Sequence, residues 1–305
     1  FFQRGGKVCQ IRRMAAEARR RFPGIPIGNV AADGEPGDLL TGLFGGALVA
    51  ALYGQPIRFA PDNWPVNEHR YLTEEAAARL EPPDLDAHPL FRSVMAQADW
   101  IARRRGRIEG YLNWQGVLNN ALRIRGEEIF ADMALRPATA RRVFSCVART
   151  MLDGAQRLYA RQRRSGVKVR HFTVSNCVVN MVSPAQYREF LLPFDRVFAR
   201  EYGVLGIHNC AWNATPWLAE YARIPGVAYV DMGIESDLAR ARALFPQARR
   251  GLMYTPMDLA TKPIEGIRAD LRRVAEEYAP CDVVFADIEA GTPDVSGPIG
   301  LAAAI

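Results

Sequence analysis

The sequence predicts an α/β fold, a closed barrel of eight βα units with helical additions at its N-terminus, in one domain over residues 1–305. Three observations support this prediction. Apolar runs of strand length alternate with helical patterns through the second half of the chain. No glycine-rich nucleotide-binding loop follows any of these runs, which disfavours the competing fold, a doubly wound open sheet. The 305 residues, 49% of them apolar, suffice for eight βα units in one domain.

Five strands are predicted in order along the second half of the chain, separated by helices. The strands span residues 168–176, 202–210, 227–233, 250–256 and 281–288. A helix that begins at Ser183 and Pro184 is predicted between the first two strands, because serine caps a helix N-terminus and proline fits the first turn. The later helices are predicted at about 215–223, 236–245 and 264–278. This alternation predicts a parallel sheet.

Three further strands are predicted upstream to complete the barrel. Residues 107–114 form a sixth strand, and 26–31 and 57–60 supply the remaining two. The carboxyl ends of the strands meet at one rim of such a barrel, so the active site is expected there.

Composition narrows the class of protein. The net charge is +6, but no aromatic-interleaved basic stripe or known nucleic-acid motif accompanies it, so no nucleic-acid binding is predicted. No run of uncharged apolar residues is long enough for a membrane span. The five cysteines are widely spaced and lack the density of a disulfide scaffold, which indicates a reducing compartment and predicts a cytoplasmic protein.

A histidine and a cysteine stand two residues apart at the end of the predicted strand 202–210. On an extended strand His208 and Cys210 share one side, where imidazole and thiolate can bind one zinc ion. Zinc needs a third protein ligand, and Asp287, Glu289 and Cys177 are the candidates. The competing interpretation is an ordinary buried histidine beside a small apolar cysteine.

Other strand ends carry side chains suited to catalysis or ligand binding. Asp231 and Glu289 are predicted catalytic groups, although Asp231 alternatively caps the loop that follows it. The predicted substrate-binding residues are Trp114, Asn176, Cys177 and Tyr254. His171 lies inside the predicted strand 168–176 and is expected to be a hydrogen-bonded core histidine.

Residues 183–194, Ser-Pro-Ala-Gln-Tyr-Arg-Glu-Phe-Leu-Leu-Pro-Phe, are similar to the S-P-x-x-[FY]-x-x-F-x-x-P helix of the uroporphyrinogen decarboxylase superfamily. Segments 126–133, 230–242 and 291–294 resemble further parts of that superfamily, in the same order. Within it the chain looks closest to the methylcobamide-dependent methyltransferase branch. The resemblance runs from about residue 100 to 294 and more weakly over 20–100, and it implies a TIM barrel.

The resemblance also distinguishes two activities. Uroporphyrinogen decarboxylases carry an N-terminal M-R-Q-A-G-R loop and an early aspartate, which residues 3–6 and 42–48 do not match. The methyltransferase branch carries H-x-C on its fifth strand and a third ligand, usually cysteine, further along the chain. His208 and Cys210 match the first two positions, whereas Asp287 occupies the stretch where the third is expected.

The resemblance therefore implies a zinc-dependent methyltransferase that moves a methyl group between a corrinoid (cobalamin) on a separate carrier protein and a small thiol or methoxylated substrate. His208, Cys210 and Asp287 would hold the zinc. Superfamily members commonly form dimers, so a homodimer is expected. Two alternatives stay open: a metal-free lyase or decarboxylase with Asp231 and Asp287 as acid and base, and a non-catalytic barrel that binds a tetrapyrrole or corrinoid.

Overall fold

A computed structural model of the chain describes residues 6–21, 38–60 and 63–285. The predicted strand at 26–31, both Asp287 and Glu289, and segment 291–294 lie outside the described residues. None of the described helices combines the length and the apolar character that crossing a bilayer requires.

Helices dominate the first half of the described chain. They are α1 (Gly6–Arg21), α2 (Leu48–Leu52), α3 (Glu74–Ala78), α4 (Pro89–Arg105), α5 (Val117–Arg125), α6 (Glu128–Leu135) and α7 (Pro137–Arg164). Between α2 and α3, strands β1 (Ile57–Ala60) and β2 (Asn63–Asn67) form an antiparallel hairpin. The predicted strand at 57–60 therefore exists, but it pairs with β2 and not with a parallel sheet.

The second half contains a five-stranded parallel sheet in the order β3-β4-β5-β6-β7. The strands are β3 (Phe172–Ser175), β4 (Leu205–His208), β5 (Val227–Gly233), β6 (Arg249–Tyr254) and β7 (Asp282–Phe285). Each lies within or next to a range predicted from the apolar runs, so the five strands and the mixed α/β class are confirmed.

Helices connect successive strands of this sheet, as predicted. They are α8 (Pro184–Gln186), α9 (Leu192–Tyr202), α10 (Leu218–Tyr221), α11 (Leu238–Leu244), α12 (Pro256–Thr261) and α13 (Ile264–Glu277). Ser183 starts α8 with a capping box, since its hydroxyl accepts from the Gln186 N–H while the Gln186 side chain accepts from the Ser183 N–H. A π-helical turn, residues 187–191, joins α8 to α9. Pro193 follows it and has no backbone N–H, so it cannot donate the usual helical hydrogen bond to the Glu189 carbonyl. That carbonyl accepts from the Arg141 side chain instead.

The two faces of the parallel sheet differ in chemistry. One face packs on helices, as shown by the Phe172 ring stacked on Phe198 of α9 with 4.8 Å between centroids. The other, here called the site face, carries Thr173, His208 and Asp231. Because side chains alternate along a strand, residues one position apart lie on opposite faces.

Residues 107–114 do not form the predicted strand. Side chains replace the expected strand ladder: the Tyr111 hydroxyl donates to the Thr173 carbonyl at 3.1 Å and accepts from the Thr173 N–H at 2.9 Å. The Gln162 amide donates to the carbonyls of Ile108 and Gly110 at 3.2 and 2.9 Å. The carbonyls of Ile108 and Gly110 are thus paired with a side chain and not with a neighbouring strand, which the apolar pattern could not reveal.

His171 is not the core histidine that its sequence position suggested. Strand β3 begins one residue later, at Phe172, and His171 is exposed. Its ring stacks on Tyr111 with 5.6 Å between centroids.

Candidate metal centre

Three metal-binding side chains meet where β3 and β4 end. The ligand atoms of Cys177, His208 and Cys210, here called the Cys-His-Cys cluster, all lie within 4.8 Å of one another. The Cys210 thiol lies 3.0 Å from Cys177 Sγ and 3.1 Å from His208 Nε2. All three side chains are partly buried. Among the described residues this is the one such group of three that could hold a metal ion.

The convergence of His208 and Cys210 does not arise from strand alternation, which corrects the prediction. Strand β4 ends at His208, and Cys210 lies beyond it with a left-handed backbone, φ 56°. That turn directs the Cys210 sulfur back to the imidazole. A non-glycine residue in this conformation costs on the order of 1–3 kcal/mol and persists only where its surroundings enforce it.

Asn209 enforces the turn. Its side-chain amide donates to the Asp231 carbonyl at 2.7 Å, and its backbone N–H donates to the Asp231 carboxylate at 2.7 Å. The Tyr221 hydroxyl donates to the Asn209 side-chain oxygen at 2.7 Å. Asn209 is fully buried, so these bonds tie the end of β4 to β5 away from water.

Asp231 orients the histidine. One carboxylate oxygen lies 2.6 Å from His208 Nδ1 and accepts from the Tyr229 hydroxyl at 2.9 Å. The carboxylate is 1% exposed, and its hydrogen bonds hold the imidazole in place. The catalytic role that the sequence predicts for Asp231 stays a prediction. With Nδ1–H donating to Asp231, Nε2 of His208 faces the two sulfurs and can ligate a metal ion once it is deprotonated.

The contacts within the cluster shift the pKa values of His208 and Cys177 in opposite directions. Burial alone would lower the pKa of His208, but the hydrogen bond to Asp231 and the contact with Cys177 outweigh it and raise that pKa to about 10. The hydrogen bond from Cys210, followed by the contact with His208, outweighs burial and lowers the pKa of Cys177 to about 5. Thiolate is the form of cysteine that binds metal, and a bound cation displaces the imidazolium proton.

Two thiols and an imidazole fit zinc. They are the borderline-soft donors that zinc prefers, and three protein ligands leave a position for a substrate, as in catalytic zinc sites. Tetrahedral zinc separates sulfur and nitrogen ligand atoms by about 3.6–3.8 Å. The sulfur–sulfur separation of 3.0 Å would therefore open by about 0.8 Å and the sulfur–nitrogen separation of 3.1 Å by about 0.5 Å, within reach of small side-chain rotations.

The structure places the third member of the cluster at Cys177. The sequence had assigned Cys177 to substrate binding or, alternatively, to the third ligand position; its sulfur lies with the candidate ligands. Asp287, the predicted third ligand, and Glu289, the predicted catalytic group, lie outside the described residues and stay predictions.

Three predicted substrate-binding residues are buried in contacts within the protein. Trp114 is fully buried, and its indole ring packs against Gly154 of α7. The contact is so close that a Cβ added to Gly154 would lie 2.8 Å from the ring. Tyr254 is on the helix-packed face of the sheet and donates to Asp270 of α13 at 2.7 Å. Asn176 is buried, and its backbone N–H donates to the His208 carbonyl at 2.6 Å. A position at the end of a strand did not specify to which face of the sheet these side chains point.

Helix α5 contributes residues near the cluster that the sequence analysis missed. A Cβ on Gly116, just before α5, would lie 2.4 Å from the Ser175 carbonyl oxygen, so the helix starts against the end of β3. The side-chain amide of Asn119 donates to Gln115 at 3.1 Å, and Arg123 follows Asn119 by about one turn of α5. The available signal was the spacing of polar residues 119 and 123, which puts both on one side of a helix.

Replacing Asp231 with asparagine is expected to weaken zinc binding by about 10–100-fold, because the amide cannot serve all three donors that the carboxylate accepts. Competition with a chromophoric chelator measures the affinity. Asp237→Asn is the control, since Asp237 caps α11 and asparagine caps equally well. Equal zinc affinity in the Asp231→Asn and Asp237→Asn proteins would contradict the positioning role.

No protein-family model matches the chain, and no curated protein matches it. Among solved structures, the fold is similar to that of a methyltransferase from Methanosarcina mazei, with a TM-score of 0.59. The alignment covers 85% of this chain and 77% of that one, at 16% sequence identity. At this identity the likeness establishes a shared fold.

Proposed function

We propose that the chain is a zinc-dependent methyltransferase that moves a methyl group between a corrinoid on a partner protein and a small thiol or methoxylated substrate. The observation that carries this proposal is the Cys-His-Cys cluster at the carboxyl end of β3 and β4, with His208 oriented by the buried Asp231. Support comes from the fold shared with a protein named a methyltransferase. The similarity of residues 183–194 to the superfamily helix adds to it.

We also infer that the parallel sheet belongs to a TIM barrel of the uroporphyrinogen decarboxylase superfamily. The strand order β3-β4-β5-β6-β7, with a helix after each of the first four strands, is that of successive βα units. Residues 107–114 lie along the outer edge of β3, where a preceding barrel strand would stand, and contact it through Tyr111.

Cys177, His208 and Cys210 would hold the zinc. When bound, zinc supplies Lewis acidity that lowers the pKa of a substrate thiol or polarises a methoxy oxygen. Asp231 keeps a proton on His208 Nδ1 and so leaves Nε2 free to ligate. Asn209 holds the left-handed turn that directs the Cys210 sulfur to the site. Asp231 and Asn209 thus hold the ligand side chains in place before the substrate binds, which lowers the free-energy cost of ordering them during the reaction.

The proposal includes the cytoplasm as location and a homodimer that receives a corrinoid carrier protein. Metal binding by Cys177 and Cys210 requires both sulfurs to be reduced, and these two sulfurs are not joined in a disulfide. A reducing compartment keeps them in that form.

The zinc content of the purified wild-type protein tests the proposal. We expect about one zinc per chain and loss of methyl transfer from methylcobalamin to a thiol after chelation. Zinc added back should restore the transfer, whereas magnesium, which prefers oxygen ligands, should not. Elemental analysis and the visible absorbance of methylcobalamin are the measurements. Full activity of the stripped protein, or inactivity of the zinc-loaded protein in both transfer directions, would refute the assignment.

A further inference from the structure

The two cysteines of the Cys-His-Cys cluster are also placed to form a bond with each other. The sulfurs of Cys177 and Cys210 are 3.0 Å apart, and neither belongs to a disulfide. A disulfide bond is about 2.05 Å long, so the two sulfurs need to approach by only about 1 Å to form one. Both side chains are partly exposed, so a small oxidant from solution can reach them.

The backbone holds these cysteines at matching positions just beyond two neighbouring strands. In the parallel pairing of β3 with β4, Ser175 lies beside His208, and the Asn176 N–H continues the ladder by donating to the His208 carbonyl at 2.6 Å. Cys177 and Cys210 each follow that pair by two residues. Neighbouring strands lie about 4.8 Å apart, within the range of about 4.4–6.8 Å between Cα atoms that a disulfide spans. The fold itself therefore brings the two sulfurs together.

Two other described cysteines serve as references for this pair. Cys146 is buried in α7, and its thiol donates to the Leu80 carbonyl at 3.2 Å. Cys281 stands just before β7, at the end of the sheet opposite the cluster. A cysteine oxidised to sulfenic acid forms a disulfide when a second thiol adjoins it, which Cys177 and Cys210 provide for each other.

We propose that Cys177 and Cys210 form a reversible oxidation site, at which a hydroperoxide converts the two thiols to a disulfide and the metal is released. One sulfur attacks the O–O bond of hydrogen peroxide and becomes a sulfenic acid, while one water leaves. The other sulfur attacks the sulfenic sulfur and displaces its hydroxyl group as a second water. The two thiol protons end in the two waters, and the peroxide gains the two electrons that the sulfurs lose.

The disulfide removes two of the three candidate zinc ligands in one step. Zinc binds thiolates, so only His208 of the cluster stays able to ligate once the two sulfurs are joined. A dithiol reductant reverses the change by thiol–disulfide exchange and regenerates both ligands. This inference rests on the proposed function, because the oxidation switches methyl transfer off only if zinc at the cluster serves the reaction.

Treatment of the zinc-loaded protein with hydrogen peroxide tests the proposal. We expect mass spectrometry of a non-reduced digest to show a Cys177–Cys210 link, and a chromophoric chelator to show zinc released in proportion to that link. Dithiothreitol followed by added zinc should restore the metal content. Cys281→Ser is the matched control, and it should form the same link and release the same zinc as the wild type.

The single variants Cys177→Ser and Cys210→Ser test the chemistry without relying on the link itself. In each, the remaining cysteine has lost its partner, so its sulfenic acid should persist and be captured by dimedone, whereas the wild type should give little adduct. Thermal unfolding of both variants shows whether an adduct reflects the lost partner or a lost fold.

Four results would overturn the oxidation site: no reaction of the pair with peroxide, oxidation to sulfinic acid without a link, earlier oxidation of Cys146 or Cys281, or full retention of zinc after the link has formed. The methylcobalamin assay separates this proposal from the broader one. Methyl transfer by a protein whose pair resists peroxide refutes only the oxidation site. A reversible Cys177–Cys210 link in a protein that never transfers a methyl group refutes only the methyltransferase.

Discussion

Replacing Cys177 with serine is expected to lower zinc affinity by more than about 100-fold and to abolish methyl transfer. Losing a direct ligand must cost more than losing a residue that orients one, for which about 10–100-fold is typical. Serine keeps the size of the side chain but does not ionise to a ligand near neutral pH. The Cys177 sulfur lies 3.0 Å from that of Cys210, so its loss leaves two ligands at the cluster. Elemental analysis and chelator competition give the affinity.

Cys281→Ser is the matched control for this experiment. Cys281 is also a partly buried free cysteine, but it stands just before β7, at the end of the sheet opposite the cluster, and burial raises the pKa of its thiol. It should bind zinc as the wild type does. Asp287→Asn tests the alternative third ligand, because the methyltransferase branch that the sequence resembles has its third metal ligand in the stretch that contains Asp287. Zinc lost in Asp287→Asn and kept in Cys177→Ser would move the third ligand from Cys177 to Asp287.

Gly233→Ala is expected to destabilise the protein by roughly 3–5 kcal/mol, at the upper end of single substitutions. A Cβ at Gly233 would lie 1.9 Å from the Ala211 carbonyl oxygen and 2.4 Å from the Ala211 carbonyl carbon. These are backbone atoms, so a rotamer change cannot relieve the clash. The Gly233 N–H also donates to the Trp212 carbonyl at 3.0 Å, and that bond would be displaced. Denaturant unfolding measures the loss of stability.

The same substitution should also reduce zinc affinity, because Ala211 follows Cys210 directly and any shift of residues 211–212 moves the Cys210 sulfur. Gly266→Ala is the control. Its added Cβ meets only Pro263 at ordinary contact distance, 3.6 Å, and alanine at this position in α13 should stabilise the helix by about 0.5–1 kcal/mol. If Gly233→Ala unfolds at the wild-type denaturant concentration, the close approach of β5 to residues 211–212 is incorrect.

The parallel sheet could be predicted from sequence because its signal is local. Each of the five strands is a short apolar run followed by a helix start, such as the cap at Ser183 before Pro184. The strand predicted at 107–114 failed because side chains make the contacts that strand pairing would make. The Gln162 amide donates to the carbonyls of Ile108 and Gly110, and the Tyr111 hydroxyl bonds to the backbone of Thr173. Apolar spacing cannot show such contacts.

The candidate site was predictable in part. His208 and Cys210 were identified by their spacing, although the left-handed turn at Cys210, and not strand alternation, unites them. Tyr254 was misplaced because a strand end alone does not specify a face of the sheet. The approach of α5 to the end of β3 was missed because it depends on the packing of Gly116 on Ser175, a contact between segments about sixty residues apart in sequence.

The hydroxyl of Tyr111 also bears on how the molecule behaves in concentrated solution. Within the described sheet β3 is a terminal strand, and an uncovered terminal strand is a template on which a second chain can add itself. Tyr111 occupies both backbone groups of Thr173, at the middle of that strand. Without this oxygen both backbone groups of Thr173 would lose their partner, so the hydroxyl satisfies the part of the edge that a second chain could otherwise pair with.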